Sequence, residues 1–325
     1  MAYNRIGTPK FYIDAVLLAR KLGYIDDSAN NLGAYYLNPT KTKTIPFYSE
    51  HDAPNNDTFY INKGFLQTNF KSRYFFNSIS HLFILGHKMD ADNVYPHLSH
   101  LSTLGESVPS SNGWTKYEFP QKTELDFNES YDGAALITFN RIDEALESTI
   151  IGDVSLGWSY TMRSPDMELT QTFGNESLKT VNTKGGHTLS SVGWNQPPMW
   201  GNYPQWSRFI TNIAYPTRRS WNLKFSYLAD ENSDNSGLMP QYYNELDIVN
   251  RGIFERINAS DSFSIKNDFL SKVYSGTNGF QLPFIFQPNT EDEEYAIARV
   301  NADSVTMNQV ANNIYDISIS IIETF

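Results

Sequence analysis

The chain has 325 residues, more than one hydrophobic core usually organises, which excludes a lone small module and predicts two domains or one β domain with a long extension. Its 21 Phe, 20 Tyr and 6 Trp exclude a disordered polymer even though the hydrophobic share is only 40%. The net charge of −11 argues against a phosphate-neutralising surface, and hence against nucleic acid as a partner, while zero cysteines remove disulfides, thiolate metal sites and cysteine nucleophiles.

The N-terminal stretch MAYNRIGTPKFYIDAVLLARKLG lacks the apolar core and cleavage site of a secretory signal. No run approaches the ~18–20 apolar residues of a membrane helix, so a chain made in the cytoplasm with no membrane span is expected. Within Phe11 to Leu22 the second half is predicted helical, with Gly23 as its C-cap. Asn30 to Asn56 is polar and aperiodic, and residues 1–56 are read as an extended N-terminal arm.

Period-two segments dominate the rest of the chain. Strands are predicted at Thr58–Ile61, Ser80–Leu85, Lys116–Phe119, Ala134–Phe139, Ser220–Leu228, Leu282–Phe286 and Tyr295–Val300. The C-terminus alternates most cleanly: Tyr315, Ile317, Ile319 and Ile321 share one face, while Asp316, Ser318 and Ser320 share the other. Helical patterns are few, at Pro240–Ile253 and Ser262–Tyr274. The fold class expected is mainly β: two antiparallel β-sandwich or barrel domains, divided near residue 151, with a few short helices and the arm.

Chemical motifs are weak. His81, His87, His97 and His100 have no metal-ligand spacing, and Asp230 to Gly237 departs from a calcium loop at the required Gly and Glu. Lys184-Gly185-Gly186 and Ser275 to Gly279 match no phosphate-binding loop, and no nucleophile elbow is present. No catalytic residue, cofactor or metal is therefore expected. The notable constellation is Trp194, Trp200, Tyr203 and Trp206, in a segment that Pro197, Pro198 and Pro204 keep from regular helix. Such rings either become buried at a subunit boundary or stack on sugar, so these four residues are the candidate assembly or glycan contacts.

Tyr74 to Lys88, YFFNSISHLFILGHK, resembles the strand and LGHN signature of galactose-binding-like jelly rolls in tailed-bacteriophage virion proteins, with Lys88 in place of the Asn. Ser164–Thr170, Thr183–Gly186, Pro197–Gly201, Arg218–Leu228, Asn278–Pro288 and Val310–Ser320 resemble, in that order, segments of structural proteins from tailed phages, particularly marine ones. The later segments look like the belt domain of a distal-tail protein. The resemblance implies a galactose-binding-like jelly roll over residues 57–151 and a belt-like β domain with helical insertions over 152–325. It also implies a non-enzymatic tail subunit, in a distal-tail, baseplate or fibre-anchoring ring, assembled in the host cytoplasm and located in the virion. Its expected partners are copies of itself, other tail proteins (tube, hub and fibres) and host surface glycan. The alternatives are a carbohydrate-binding module acting through the Trp/Tyr-rich loop and, third, a tail-associated glycan depolymerase.

Overall fold

The computed structural model describes residues 7–25, 45–47, 63–69, 79–85, 94–98, 106–108, 114–118, 134–140, 149–151, 153–166, 170–174, 178–192, 218–229, 269–301, 306–311 and 314–324. In chain order the strands are β1 (Lys10–Asp14), β2 (Ile45–Phe47), β3 (Lys63–Asn69), β4 (His81–Leu85), β5 (Val94–Leu98) and β6 (Glu106–Val108). Next come β7 (Trp114–Glu118), β8 (Ala134–Asn140), β9 (Thr149–Ile151), β10 (Val154–Thr161), β11 (Thr170–Gly174) and β12 (Leu178–Asn182). The last are β13 (Thr188–Val192), β14 (Arg218–Ala229), β15 (Phe284–Gln287), β16 (Ala296–Val300), β17 (Met307–Ala311) and β18 (Ile314–Glu323). Among the described residues one α-helix, α1 (Ala15–Leu22), and one π-helical turn, Leu270–Ser275, accompany them.

The described fold is thus mainly β with antiparallel sheets. Its largest sheet has eleven strands in the order β11-β14-β18-β16-β15-β1-β10-β4-β7-β6, with β17 also paired to β18. Smaller sheets are β3-β8-β5, β2-β9 and the hairpin β12-β13. The large sheet joins β1, from the first 56 residues, to β4, β6 and β7 from residues 57–151 and to β10 and later strands. Among the described residues, no helix is long and apolar enough to cross a membrane.

Both faces of the central strands are packed. On one, Phe11, Ile13, Leu156, Trp158, Phe284, Phe286 and Trp221 form the main core. On the other, Tyr12, Phe83, Leu85, Trp114, Ile285, Tyr295 and Ile297 form a second cluster. Burial of alternate residues toward opposite sides is why β1, β4 and β15 read as nearly continuous apolar runs. The sheet is also strongly coiled. The chain leaving β10 bonds β14 through Asp166 N–H to the Lys224 carbonyl at 2.8 Å, although β18, β16, β15 and β1 lie between those strands.

Local chemistry sets the elements. Asp14 caps α1 by accepting from the Leu17 amide at 3.0 Å. The helix ends at Gly23, with φ 77°, where Tyr24 N–H reaches the Ala19 carbonyl and Gly23 N–H that of Arg20. The expected helix in Phe11–Leu22 is therefore present in its second half, and the first half is β1. Strands occupy the expected positions at Ser80–Leu85, Ala134–Phe139, Ser220–Leu228, Tyr295–Val300 and the C-terminus, while β7 starts two residues before Lys116. Of Ser262–Tyr274 only the end is described, and it is the π turn rather than an α-helix. The Trp158 indole N–H donates to the Lys272 carbonyl at 2.9 Å, and at Gly276 a Cβ would stand 3.0 Å from the Trp158 ring. Thr58–Ile61 and Pro240–Ile253 lie outside the described residues.

Candidate functional site

The richest chemistry sits on the second face of the sheet. Tyr12 and Lys10 come from β1, His81 and Phe83 from β4, Ser155 from β10, Lys116 and Glu118 from β7, and Gln287 from β15. Register brings them to one side: Lys10 pairs with Gln287, Tyr12 with Ile285, His81 with both Gly157 and Glu118, and Phe83 with both Ser155 and Lys116. Before Thr161, which pairs with Lys10, β10 offers this side only Ser155, Gly157 and Ser159. Those small residues let Tyr12 lean across β10 and β4 toward β7.

Glu118 is the hub. Its Oε1 accepts from Lys10 Nζ at 2.7 Å and from the Tyr12 hydroxyl at 2.8 Å, and Lys116 Nζ lies 3.7 Å away. The single Tyr12 proton is shared with Gln287 Oε1, also at 2.8 Å, and Gln287 is oriented by donating its Nε2 to the Asp292 carbonyl at 2.8 Å. Burial pushes the Glu118 carboxyl up, but hydrogen bonding and charge from Lys10, then Lys116 and Tyr12, outweigh it and hold the group below the usual carboxylate range. Burial depresses Lys116, against the pull of Glu118. Burial, reinforced by the Glu118 charge, pushes the phenols of Tyr12 and Tyr295 far above their ordinary value. Lys116 Nζ stands 5.3 Å from the Tyr295 ring centroid and Lys10 Nζ 5.1 Å from that of Tyr12.

Beside this hub His81 Nε2 lies 3.3 Å from Ser155 Oγ, and both residues are fully buried. Burial, with the nearby Lys10 charge, drives His81 down to about 3, so the ring is neutral. Its Nδ1 makes no hydrogen bond among the described residues. A Ser–His pair has the composition of a nucleophile and base, but neither atom faces solvent, and the arrangement joins β4 to β10. A second ionic cluster closes the other end of the sheet. Arg219 donates Nε and Nη2 to the two oxygens of Glu323 at 3.0 and 2.8 Å, Nη1 to Glu294 at 2.6 Å and Nη2 to the Tyr295 carbonyl at 2.9 Å.

The molecular surface carries a different signal. Among the described residues the exposed large apolar side chains are Val181, Leu189, Tyr227 and Val310, exposed by 62, 60, 71 and 48%. Val181 and Leu189 are directly opposed on hairpin β12–β13. Its turn is Lys184-Gly185-Gly186: Gly186 N–H donates to the Thr183 carbonyl, Thr183 N–H to that of His187, and Gly186 has φ 78°. Tyr227 and Val310 stand at irregularities on either side of β18. The β14–β18 register shifts between Phe225 and Leu228, and the β17–β18 register between Gln309 and Ala311, both opposite Tyr315 and its neighbours. Tyr227 has φ 59°, held by its N–H to Asp316 Oδ1 at 3.0 Å and by its carbonyl, which accepts from Arg163 Nη1 at 3.3 Å.

Trp194, Trp200, Tyr203 and Trp206 lie outside the described residues, as do His87, His100 and Asp230 to Gly237. Of the other histidines, His97 is on β5 and His81 in the buried face. No cluster of metal-ligating side chains occurs among the described residues. Ser275 ends the π-helical segment and Gly276 to Gly279 form the turn after it, where Thr277 Oγ1 donates to the Val273 carbonyl and accepts from Phe280 N–H. Sequence reasoning missed the Glu118 hub and the Val181–Leu189 pair. The available signal for the hairpin was a Gly-Gly turn between two alternating segments. No protein-family model, curated protein or solved structure matches this chain.

Proposed function

We propose that this chain is a non-enzymatic structural subunit of a bacteriophage tail, in a distal-tail, baseplate or fibre-anchoring ring, that assembles with copies of itself and with neighbouring tail proteins. The observation that carries assembly is the placement of the exposed apolar side chains: a directly opposed pair on the β12–β13 hairpin and one at each of two bulges beside β18. Bulges re-aim side chains at sheet edges, and apolar groups shown in this way favour burial against another surface. The tail identity, and the division into a galactose-binding-like jelly roll and a belt-like domain, rest on the sequence resemblance alone.

Sedimentation and electron microscopy of the purified full chain test the reading. Closed rings of defined copy number are expected, together with specific antibody labelling of the tail in virions that carry the protein. A chain that stays monomeric at every soluble concentration and is absent from particles overturns it. Saturable glycan binding by such a monomer, lost in Trp200→Ala or Trp206→Ala, would establish the carbohydrate-binding module instead.

A further inference from the structure

A two-stranded hairpin alone is at best marginally stable in water, and β12–β13 pairs with no other described strand. All but one of the residues from Val181 to Leu189 are exposed, so the hairpin shows a Val–Leu pair that no described residue covers. Its charge is also unlike that of the rest. Leu178 to Val192 contains Lys179 and Lys184 and no acidic residue, leaving 23 basic residues against all 36 acidic ones elsewhere, a net of −13. The surface such a hairpin complements best is therefore another copy of this chain.

The fold also places the receiving surface. Tyr227 and Val310 flank β18 two strand spacings apart, about 10 Å, with Asp316 between the strands that carry them. The hairpin follows β11, whose last residue, Gly174, is paired with Arg218 at the start of β14. Tyr227 lies nine residues further along β14, about 30 Å away at ~3.3 Å per residue. Val181 is seven residues from Gly174 and reaches about 25 Å even fully extended. The hairpin thus leaves the sheet at the Arg218 end of β14, while the patch lies toward the other end of that strand.

We infer that the hairpin of one copy seats Val181 and Leu189 on the Tyr227–Val310 patch of a second copy, a head-to-tail contact of the kind that builds rings when the rotation between copies closes. The inference rests on the assembly reading and deepens it by naming the two surfaces that meet.

The absence of cysteine makes cross-linking clean. Full-length Leu189→Cys and Val310→Cys chains, mixed and oxidised, are expected to give a disulfide dimer well above a control mixture of Lys21→Cys and Val310→Cys. The double variant is expected to give a ladder of oligomers. Separately, Val181→Asp with Leu189→Asp is expected to weaken self-association about tenfold or more with an unchanged circular dichroism spectrum, and added salt is expected to weaken association of the unaltered chain. If the unaltered chain assembles while cross-linking stays at the control level and the Asp variant assembles equally well, the inference is overturned and the assembly reading stands. A disulfide confined to one chain of the double variant also overturns it. A monomeric unaltered chain overturns both.

Discussion

The Tyr12 hydroxyl donates to Glu118 at 2.8 Å although β10 and β4 separate the strands that carry the two residues. The contact exists because β10 presents only Ser155, Gly157 and Ser159 beneath the phenol. It ties the N-terminal strand to a segment more than a hundred residues away. Tyr12→Phe retains the edge-on contact with Phe83, at 4.9 Å between centroids, and removes only the donor. A loss of about 1–2 kcal/mol is expected. It should be read as a lower urea midpoint with an unchanged denaturant slope. Glu118→Ala, which leaves Lys10 and Lys116 facing each other across the vacated site, should cost more than Tyr12→Phe. Equal stability of the two variants would show that Glu118 does not organise the face.

His81 gives the protein a pH dependence that begins above the carboxylate range. Its folded value, about 3, is below the unfolded value of 6.5, so between those limits the unfolded chain binds more protons and stability rises with pH. The stability that neutral His81 preserves is complete above about 6.5 and is lost as pH falls toward 3. At roughly 1.4 kcal/mol per unit this amounts to a few kcal/mol. Glu118, held below its ordinary value, adds a loss only at lower pH. Urea titrations of the unaltered chain should therefore show stability falling already between pH 6.5 and 5. In His81→Gln, where a neutral donor still reaches Ser155, that portion of the slope should disappear; its persistence would rule out His81 as the titrating group.

How much of this was legible in the sequence varied with the interaction. Alternation at Tyr315 to Ile321 and at Trp221, Leu223, Phe225 and Tyr227 marked β18 and β14 because period-two burial is a local property, but the register shift after Phe225 turns Tyr227 outward and buries Leu228 in its place. The same reasoning gave α1 its C-cap at Gly23. It left Phe11 to Asp14 undecided, since an apolar run buried on both faces of a sheet has no period of its own. Pairing was invisible: nothing local to Lys10 specifies that β1 lies between β15 and β10. The Glu118 hub shares that fate, as Lys116, Tyr117 and Glu118 read alone are simply a half-buried strand. The bulges at Tyr227 and Val310 arise from register mismatch with β18, which depends on both partners at once. Trp194, Trp200, Tyr203 and Trp206, the site legible from composition, fall outside the described residues.

Arg219 should be hard to replace, even by lysine. Its fork holds both oxygens of Glu323, a carboxylate only 2% exposed, while a third nitrogen reaches Glu294. Burial disfavours its charge, yet the hydrogen bonds and charge of Glu323, then Glu294, raise its value above the usual arginine range. Arg219→Ala leaves Glu323 buried and uncompensated, and about 3–5 kcal/mol is expected. Arg219→Lys keeps the charge but loses the bidentate geometry and the stacking over Trp221 at 5.3 Å, and should be intermediate. Removing both partners, as Arg219→Met with Glu323→Leu, should recover much of the loss. The decisive measurement is a double-mutant cycle from chemical denaturation, where additive effects would show that the pair is uncoupled.

Two glycines separate close approach from backbone conformation. At Gly157 a Cβ would run into the Ile13 carbonyl oxygen and stand 2.6 Å from the Ala15 amide nitrogen, both of them backbone atoms where β1 turns into α1. Neither can yield without displacing the capped start of the helix. Gly157→Ala should therefore cost about 3 kcal/mol or more, and little of the variant should be recovered folded. At Gly23 nothing lies within 4 Å of the added carbon, but φ is 77°, a left-handed conformation that an L side chain rarely adopts. Gly23→Ala should cost only about 1–2 kcal/mol. Gly23→Asn, which tolerates that conformation better, should restore part of the loss. Thermal midpoints of the three variants check the ordering, with Gly157→Ala lowest and Gly23→Asn nearest the parent. A Gly157→Ala chain as stable as Gly23→Ala would mean that β1 and β10 do not approach as closely as the fold requires.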